Sequence, residues 1–254
     1  MNNKFLLIFA VVMLTGPLAV NAELVQSTTG VMLTFRHCIA GETVCDSIGP
    51  YETASYGGLP GEPAAVTNHA DPTYGEASGS AQLTGAPGAA ELSANATSLP
   101  AMRNGSNSVT LQRYTNESAG AQKLTVDATL TYTQTVPAEN TDFPAGGPSI
   151  SGAHAEIYIF SLHVDSLDAG TTAEENSSLL LEGPDPSITL TELGSASNEP
   201  SSNVTESGTE VLSITVTVEP GDSIWLWSIL QSLAANGADV SATLDTKLES
   251  TKAD

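Results

Sequence analysis

Apolar and polar residues alternate with period two along much of this chain, a pattern typical of strands that are buried on one face. In the clearest case, over residues 124–133, Leu, Val, Ala and Tyr alternate with Thr and Asp. The same alternation returns over residues 209–248, with turn sequences at Pro220-Gly221-Asp222 and Asn236-Gly237. We expect this last segment to form a three-stranded meander joined by hairpin turns.

Several other segments have the composition of strands, and helical periodicity is almost absent after residue 22. The segment 155–164 is apolar on both faces, which predicts a central strand of the core. Further strands are predicted at 31–38, 64–68, 75–83, 90–96, 108–114 and 188–193. Together these predict an all-β fold, an antiparallel two-sheet sandwich of the jelly-roll type, with a closed barrel as the alternative.

Residues 64–98 are dominated by Ala, Gly and Ser, with hardly any bulky side chain. Small side chains let two backbones or two sheets approach each other closely. We therefore expect ordered strands with thin packing in this part of the chain.

The N-terminal segment has the pattern of a secretory signal peptide. Lys4 precedes an apolar run over residues 5–14, and Val20-Asn21-Ala22 forms a small-residue cleavage site before Glu23. We expect residues 1–22 to be removed, which leaves residues 23–254 as a single secreted or periplasmic domain. The apolar run is too short to span a membrane, and no later segment approaches about 20 apolar residues. No membrane span is therefore expected after cleavage.

The chain is strongly acidic, with 29 Asp and Glu against 7 Lys and Arg and a formal net charge of −22. No Lys or Arg occurs between Lys123 and Lys247, whereas eighteen acidic residues do. Such a surface repels nucleic acid and anionic lipid, so we expect neither as a partner. The charge is explained either by a solvated acidic surface or by calcium bound to clustered carboxylates.

The acidic segment 165–185 is the candidate calcium site, since it contains six carboxylates and no cation. Calcium takes six to eight oxygen ligands, some of them backbone carbonyls. The spacing matches no EF-hand, and a solvated acidic loop is the alternative. The candidate ligands are Asp165, Asp168, Glu174 and Glu175. No other cofactor is expected.

The two cysteines, Cys38 and Cys45, are predicted to form a disulfide, because an exported chain meets an oxidising compartment and no other thiol competes. Closing so short a loop is worth roughly 2.5 kcal/mol by chain entropy. Two thiols without a second pair of ligands make a poor zinc site.

Trp225 and Trp227 point to the same side of one predicted strand. An exposed pair of this kind stacks on sugar rings, whereas a buried pair packs in the core, and we expect packing.

Glu156 is the most interesting carboxylate, because it lies beside Tyr158 in an otherwise apolar strand; a solvated glutamate at a sheet edge is the simpler interpretation. The sequence contains no G-x-S-x-G elbow, no Walker motif and no H-E-x-x-H pair.

The Ala/Gly/Ser-rich tract and the C-terminal turns carry a series of short motifs. In chain order these are Tyr74-Gly75, Gly79-Ser80-Ala81, Ala94-Asn95-Ala96, Val218-Glu219-Pro220-Gly221-Asp222, Leu230-Gln231, Ala234-Ala235-Asn236-Gly237-Ala238-Asp239 and Ala242-Thr243-Leu244. The series resembles the exported domains of bacterial exosortase-sorted (PEP-CTERM) proteins. The resemblance implies a secreted bacterial β-protein associated with exopolysaccharide and biofilm. The sequence ends at Asp254 without the Pro-Glu-Pro sorting tail of that class, so we expect a soluble relative of the exported domain.

The sequence thus predicts an exported, non-enzymatic β-sandwich that serves as an extracellular matrix or surface-associated binding module. Its expected partner is an extracellular polysaccharide or a matrix protein. The alternative is a carbohydrate-active enzyme that uses two carboxylates in a groove of the sheet.

Overall fold

The structure is a computed structural model. It describes residues 23–37, 46–47, 53–57, 65–73, 75–84, 89–137, 150–160, 189–193, 196–198 and 204–253. Within these ranges the regular elements are all strands. Accordingly, the described residues contain no helix long and apolar enough to cross a membrane.

Fourteen strands are described, and most are long. In chain order they are β1 (Glu23–His37), β2 (Asp46–Ser47), β3 (Thr53–Gly57), β4 (Ala65–Asp71), β5 (Gly75–Thr84), β6 (Ala89–Ser98), β7 (Met102–Thr115), β8 (Gln122–Val136), β9 (Ile150–Phe160), β10 (Thr189–Leu193), β11 (Ala196–Asn198), β12 (Val204–Val218), β13 (Ser223–Ala235) and β14 (Asp239–Lys252).

The strands form two antiparallel sheets. Sheet A has the order β10-β9-β13-β7-β1-β2, with β11 also paired to β9 and β3 to β1. Sheet B has the order β12-β8-β14-β6-β5-β4. One hydrophobic core lies between them, and the sheets do not close into a barrel. The predicted all-β two-sheet sandwich is confirmed, and the barrel alternative is wrong for the described part of the chain.

The predicted meander over residues 209–248 is wrong, although its strands and turns are present. Strands β12 and β14 belong to sheet B, whereas β13 lies in sheet A. The turns have the expected positive φ angles, 84° at Gly221, 54° at Asn236 and 85° at Gly237, but they carry the chain from one sheet to the other. The physical reason lies in β13, whose residues 224–230 are all buried. A strand that is apolar on both faces needs neighbours on both sides and cover on both faces.

The described part of the segment 155–164 belongs to β9, an internal strand that pairs with β13 on one side and with β10 and β11 on the other. Strand β13 is the more central of the two and pairs with both β7 and β9. Strand β9 lies one place further out. Its Ile157 and Ile159 are buried in the core, while Glu156 and Tyr158 lie on the opposite face. Residues 161–164 lie outside the described residues.

The two sheets approach closely where β5 faces β1 and β7. A Cβ atom built on Gly79 would lie 2.6 Å from both Ser106 Oγ and Val31 Cγ1, and 2.8 Å from Ser108 Oγ. Buried alanines surround this point on the sheet B side: Ala77, Ala81, Ala90, Ala94 and Ala96. The thin packing expected from the small residues of this tract is confirmed.

Short polar side chains of sheet A reach backbone carbonyls of sheet B across this narrow gap. Ser108 Oγ donates to the carbonyl of Ser93 at 2.6 Å. At one end of the sandwich, where Thr97 and Asp239 are cross-strand partners, Asn104 Nδ2 donates to Thr97 O at 2.7 Å and Ser151 Oγ donates to Asp239 O at 2.6 Å. Side chains as short as serine make such bonds only where the two sheets lie close together.

Substituting Gly79→Ala is expected to lower the free energy of unfolding by about 1–3 kcal/mol, because the added methyl group overpacks the gap against the stiff side chain of Val31. The matched control is Gly120→Ala, where the nearest atom to a new Cβ, Lys252 Cε, is 3.9 Å away. Urea denaturation of both variants measures the difference. A Gly79→Ala variant as stable as Gly120→Ala would contradict this account of the gap.

Candidate functional site

The outer face of sheet B carries exposed and half-exposed hydroxyl and amide side chains, which we call the hydroxyl face. They point outward because the alternate residues of β5, β6, β8 and β14 are buried in the core, and those in the second half of β12 pack partly against it. The hydroxyl face consists of Thr205, Ser207 and Thr209 on β12, Thr131, Thr133 and Thr135 on β8, Ser241 and Thr243 on β14, Ser93, Asn95 and Thr97 on β6, and Ser78 and Ser80 on β5.

These side chains form rows, because the five strands are in register. The cross-strand partners in two adjacent rows are Ser207, Thr133, Ser241, Asn95 and Ser78, and then Thr209, Thr131, Thr243, Ser93 and Ser80. Neighbouring strands lie about 4.8 Å apart, and successive outward residues of one strand about 6.7 Å apart. The face is therefore a repeating grid of donors and acceptors.

Hydrogen bonds across the strands hold several of these side chains in place. Thr133 Oγ1 and Ser207 Oγ are 3.0 Å apart. Asn95 accepts from Ser241 Oγ at 2.6 Å and donates through Nδ2 to Ser78 Oγ at 3.2 Å. A ligand that binds here meets side chains that are already oriented, which lowers the entropic cost of binding.

A shallow polar depression lies at one end of the hydroxyl face, next to β4. Its volume is about 160 Å³, and it is lined in part by Asn68, Glu76, Ser78, Asn95 and Thr97. Sites for drug-sized molecules usually have about 300–1,000 Å³. The depression therefore has room for one small polar unit of a larger ligand.

The outer face of sheet A carries an aromatic cluster instead of hydroxyl groups. Trp225 is fully buried and Trp227 is 9% exposed; they pack with Leu111 and Ile229. The Arg113 guanidinium lies 5.8 Å from the centre of the Trp225 ring, a cation–π contact. The predicted packing role of the two tryptophans is confirmed by their burial, which leaves little ring area for stacking on a sugar.

A hydrogen-bonded trio, His154–Glu156–Tyr158, borders this aromatic cluster. The three residues share one face of β9, where His154 Nε2 is 2.8 Å from Glu156 Oε1 and Tyr158 OH donates to Glu156 Oε2 at 2.8 Å. The Tyr158 ring stacks on Trp227 with a centroid distance of 4.9 Å. Burial, followed by the hydrogen bond to Glu156 and its negative charge, raises the pKa of Tyr158 to about 12. The Glu156 carboxylate is thus fixed in position by its hydrogen-bond partners His154 and Tyr158, and it is not an isolated solvated side chain.

The remaining predicted site residues lie outside the described residues. These are Cys38, Cys45, Asp165, Asp168, Glu174 and Glu175. The disulfide and the calcium site therefore stay predictions. Within the described part of the chain, no group of three or more His, Cys, Asp or Glu side chains is placed to hold a metal ion.

No protein-family model matches the chain, and no curated protein matches it.

Tyr158 is expected to make stability depend on alkaline pH. Its pKa is about 12 in the folded protein against an ordinary value of 10.0, so the folded state favours the neutral phenol. This contribution is complete below pH 10 and is lost as the pH rises toward 12. Melting temperatures across this interval should fall more steeply for the native protein than for Tyr158→Phe, and Glu156→Gln should lower the phenol pKa in a tyrosinate absorbance titration. Identical profiles for the native protein and Tyr158→Phe would contradict the assignment.

The disulfide between Cys38 and Cys45 stays a prediction that chemistry can test. Strands β1 and β2 pair Arg36 with Ser47 and His37 with Asp46, and in the sequence Cys38 follows His37 and Cys45 precedes Asp46. Thiol labelling of the denatured, unreduced protein should find no reactive cysteine, and labelling after reduction should find two. Two reactive thiols before reduction would show that the prediction is wrong.

Proposed function

We propose that this protein is an exported, non-enzymatic binding module of the extracellular matrix or cell surface, and that it binds polysaccharide through the hydroxyl face. The observation that carries the proposal is the register of that face, which repeats hydroxyl and amide groups across five strands. A repeating polymer of hydroxyl groups has complementary chemistry, since each hydroxyl both donates and accepts hydrogen bonds.

The strength of such binding comes from repetition. One hydroxyl–hydroxyl contact in water contributes little, because it replaces a hydrogen bond to solvent. A polysaccharide that lies along the rows makes many contacts at once, and the later contacts form at high effective concentration. A broad open face therefore suits a polymer better than a single sugar.

The charge of the protein restricts the class of polysaccharide. With a net charge of −22, the molecule repels acidic polymers, so neutral polysaccharides are the preferred ligands. Acidic side chains, among them Asp239 and Glu76, lie beside the hydroxyl face at its depression end.

The expected signal peptide and the resemblance to the exported domains of exosortase-sorted (PEP-CTERM) proteins support the extracellular part of the proposal. The signal peptide points to the cell exterior, and the resemblance implies a bacterial one, where exopolysaccharide is an abundant hydroxyl-rich polymer. Under this proposal the sandwich acts within that matrix.

Binding to insoluble cellulose and chitin tests the proposal. The variant Thr131→Val/Thr243→Val removes two hydroxyls from adjacent strands of one row, keeps the charge and shape, and retains high strand propensity. We expect its retention on the polymer that the native protein binds to fall several-fold. The matched control, Thr125→Val/Thr215→Val, removes a hydroxyl pair 2.9 Å apart on the same outer face but beyond the five-strand rows, where the partner of Thr125 on β14 is Glu249. It should bind like the native protein.

Two results would overturn the proposal: no retention of the native protein on any neutral polysaccharide, or an equal loss in both double variants. Retention on an alginate gel should be weaker than on the neutral polymers, because alginate is polyanionic and the protein carries the same sign of charge.

The carbohydrate-active enzyme remains the second candidate, and one observation favours it. Glu192 of β10 occupies the register position opposite Glu156 of β9, so two carboxylate-bearing residues are cross-strand partners. Release of reducing sugar from the same polysaccharides, abolished by Glu156→Gln with unchanged binding, would favour the enzyme over the binding module.

A further inference from the structure

Strand β12 forms one edge of sheet B and is one of the longest strands of the protein, with 15 residues. In the part of the chain that the structure describes, it pairs with β8 alone. An edge strand presents a row of backbone N–H and C=O groups that can pair with another chain. Natural edges are usually protected by short length, proline or charged side chains, lysine above all. Strand β12 is long, has no lysine or proline, and carries its two charges, Glu206 and Glu210, in its first half.

The second half of β12 is also apolar and accessible. Residues 211–218 read Val-Leu-Ser-Ile-Thr-Val-Thr-Val, a charge-free run of high strand propensity. Val211 is 69% exposed. On the opposite face of the strand, Leu212, Ile214 and Val216 are only partly buried against the core. This edge of sheet B therefore offers both backbone groups and apolar surface to a partner.

We propose that the partner is a second copy of this chain, bound through antiparallel pairing of the two β12 strands. Consider a dimer whose two-fold axis is perpendicular to the sheet. One residue of β12 must then lie directly opposite the same residue of the second copy, because only this register keeps outward side chains on the same face in both copies. Val211 is the middle residue of Val204–Val218. An axis at Val211 pairs the whole strand and brings the two exposed valines together.

The sequence of β12 is self-complementary in this register. Glu206 and Glu210 are its only charged residues. Pairing about Val211 places Glu206 opposite Val216 of the second copy and Glu210 opposite Leu212. No glutamate therefore lies directly opposite another, and the two Glu210 residues are diagonal neighbours. On the outer face, Thr209 meets Ser213 of the second copy, and such hydroxyl pairs stabilise neighbouring strands.

This register favours a second copy over a strand from an unrelated protein. Strand β12 forms suitable pairs with another β12 that runs in the opposite direction, and binding to an unrelated strand would not require that property. The outcome is a continuous sheet made from two six-stranded B sheets. Because each copy carries a net charge of −22, salt should strengthen the pair by screening the repulsion between the copies.

Sedimentation velocity of the exported protein tests the pairing, with a lysine substitution at each edge of sheet B. Val211→Lys places a charge at the proposed axis and should raise the dissociation constant of the dimer by about tenfold or more. The matched control is Val66→Lys on β4, the opposite edge strand, where Val66 is 61% exposed. It should dimerise like the native protein. At concentrations where the native protein is monomeric, both variants should keep the native melting temperature.

Cysteine cross-linking tests the register independently of stability. Cβ atoms of directly opposite residues lie about 4.5–5.5 Å apart, so Val211→Cys should give a dimer linked through residue 211 of both copies, identified by peptide mapping. Val66→Cys should give no such dimer. The proposal is overturned by a native protein that sediments as a monomer at all salt concentrations. It is equally overturned by dissociation in Val66→Lys, or by links that join residue 211 to another position.

Discussion

The narrow gap between the two sheets is the constraint on which the rest of the structure depends. At Gly79 there is no room for even a methyl group against Val31 and Ser106. Sheets usually pack about 10 Å apart with large side chains interdigitated. Here the facing positions of β5 and β6 are mostly alanine and glycine, and the bond from Ser108 to the Ser93 carbonyl spans the gap directly. The Ala/Gly/Ser-rich tract is therefore a structural requirement of close packing and not a linker.

The sequence predicts the fold class well because alternation and turn chemistry are local. It does not predict which strands pair, since a turn at Asn236-Gly237 serves equally within one sheet and between two. The orientation of β7 shows a second limit. Alternation alone would turn Val109 and Leu111 toward the core, yet Leu111 packs in the outer aromatic cluster, and the buried Ser108 faces sheet B. The close approach of the sheets selects small polar side chains where a wider core would select large apolar ones.

The candidate surfaces were predictable to different degrees. The packing of Trp225 and Trp227 follows from the apolar character of both faces of β13. The trio around Glu156 is visible as residues two apart on one strand, but its hydrogen bonds are not. The hydroxyl face is hinted at by the Thr-x-Thr spacing in β8, which runs through Thr131, Thr133 and Thr135. Its rows, however, depend on the register of five strands distant in sequence, which no local pattern specifies.

The two sheets have different roles, and the position of β12 follows from that difference. Sheet A is buried on both faces around β13, so its outer side chains serve stability. Sheet B is buried on one face only, and its outer face is left to polar groups. Its edge strand β12 lies where the core thins, which leaves Ile214 and Val216 only partly covered. Growth of the sheet at that edge would cover these apolar side chains and extend the hydroxyl rows in one step, since the same strand supplies both.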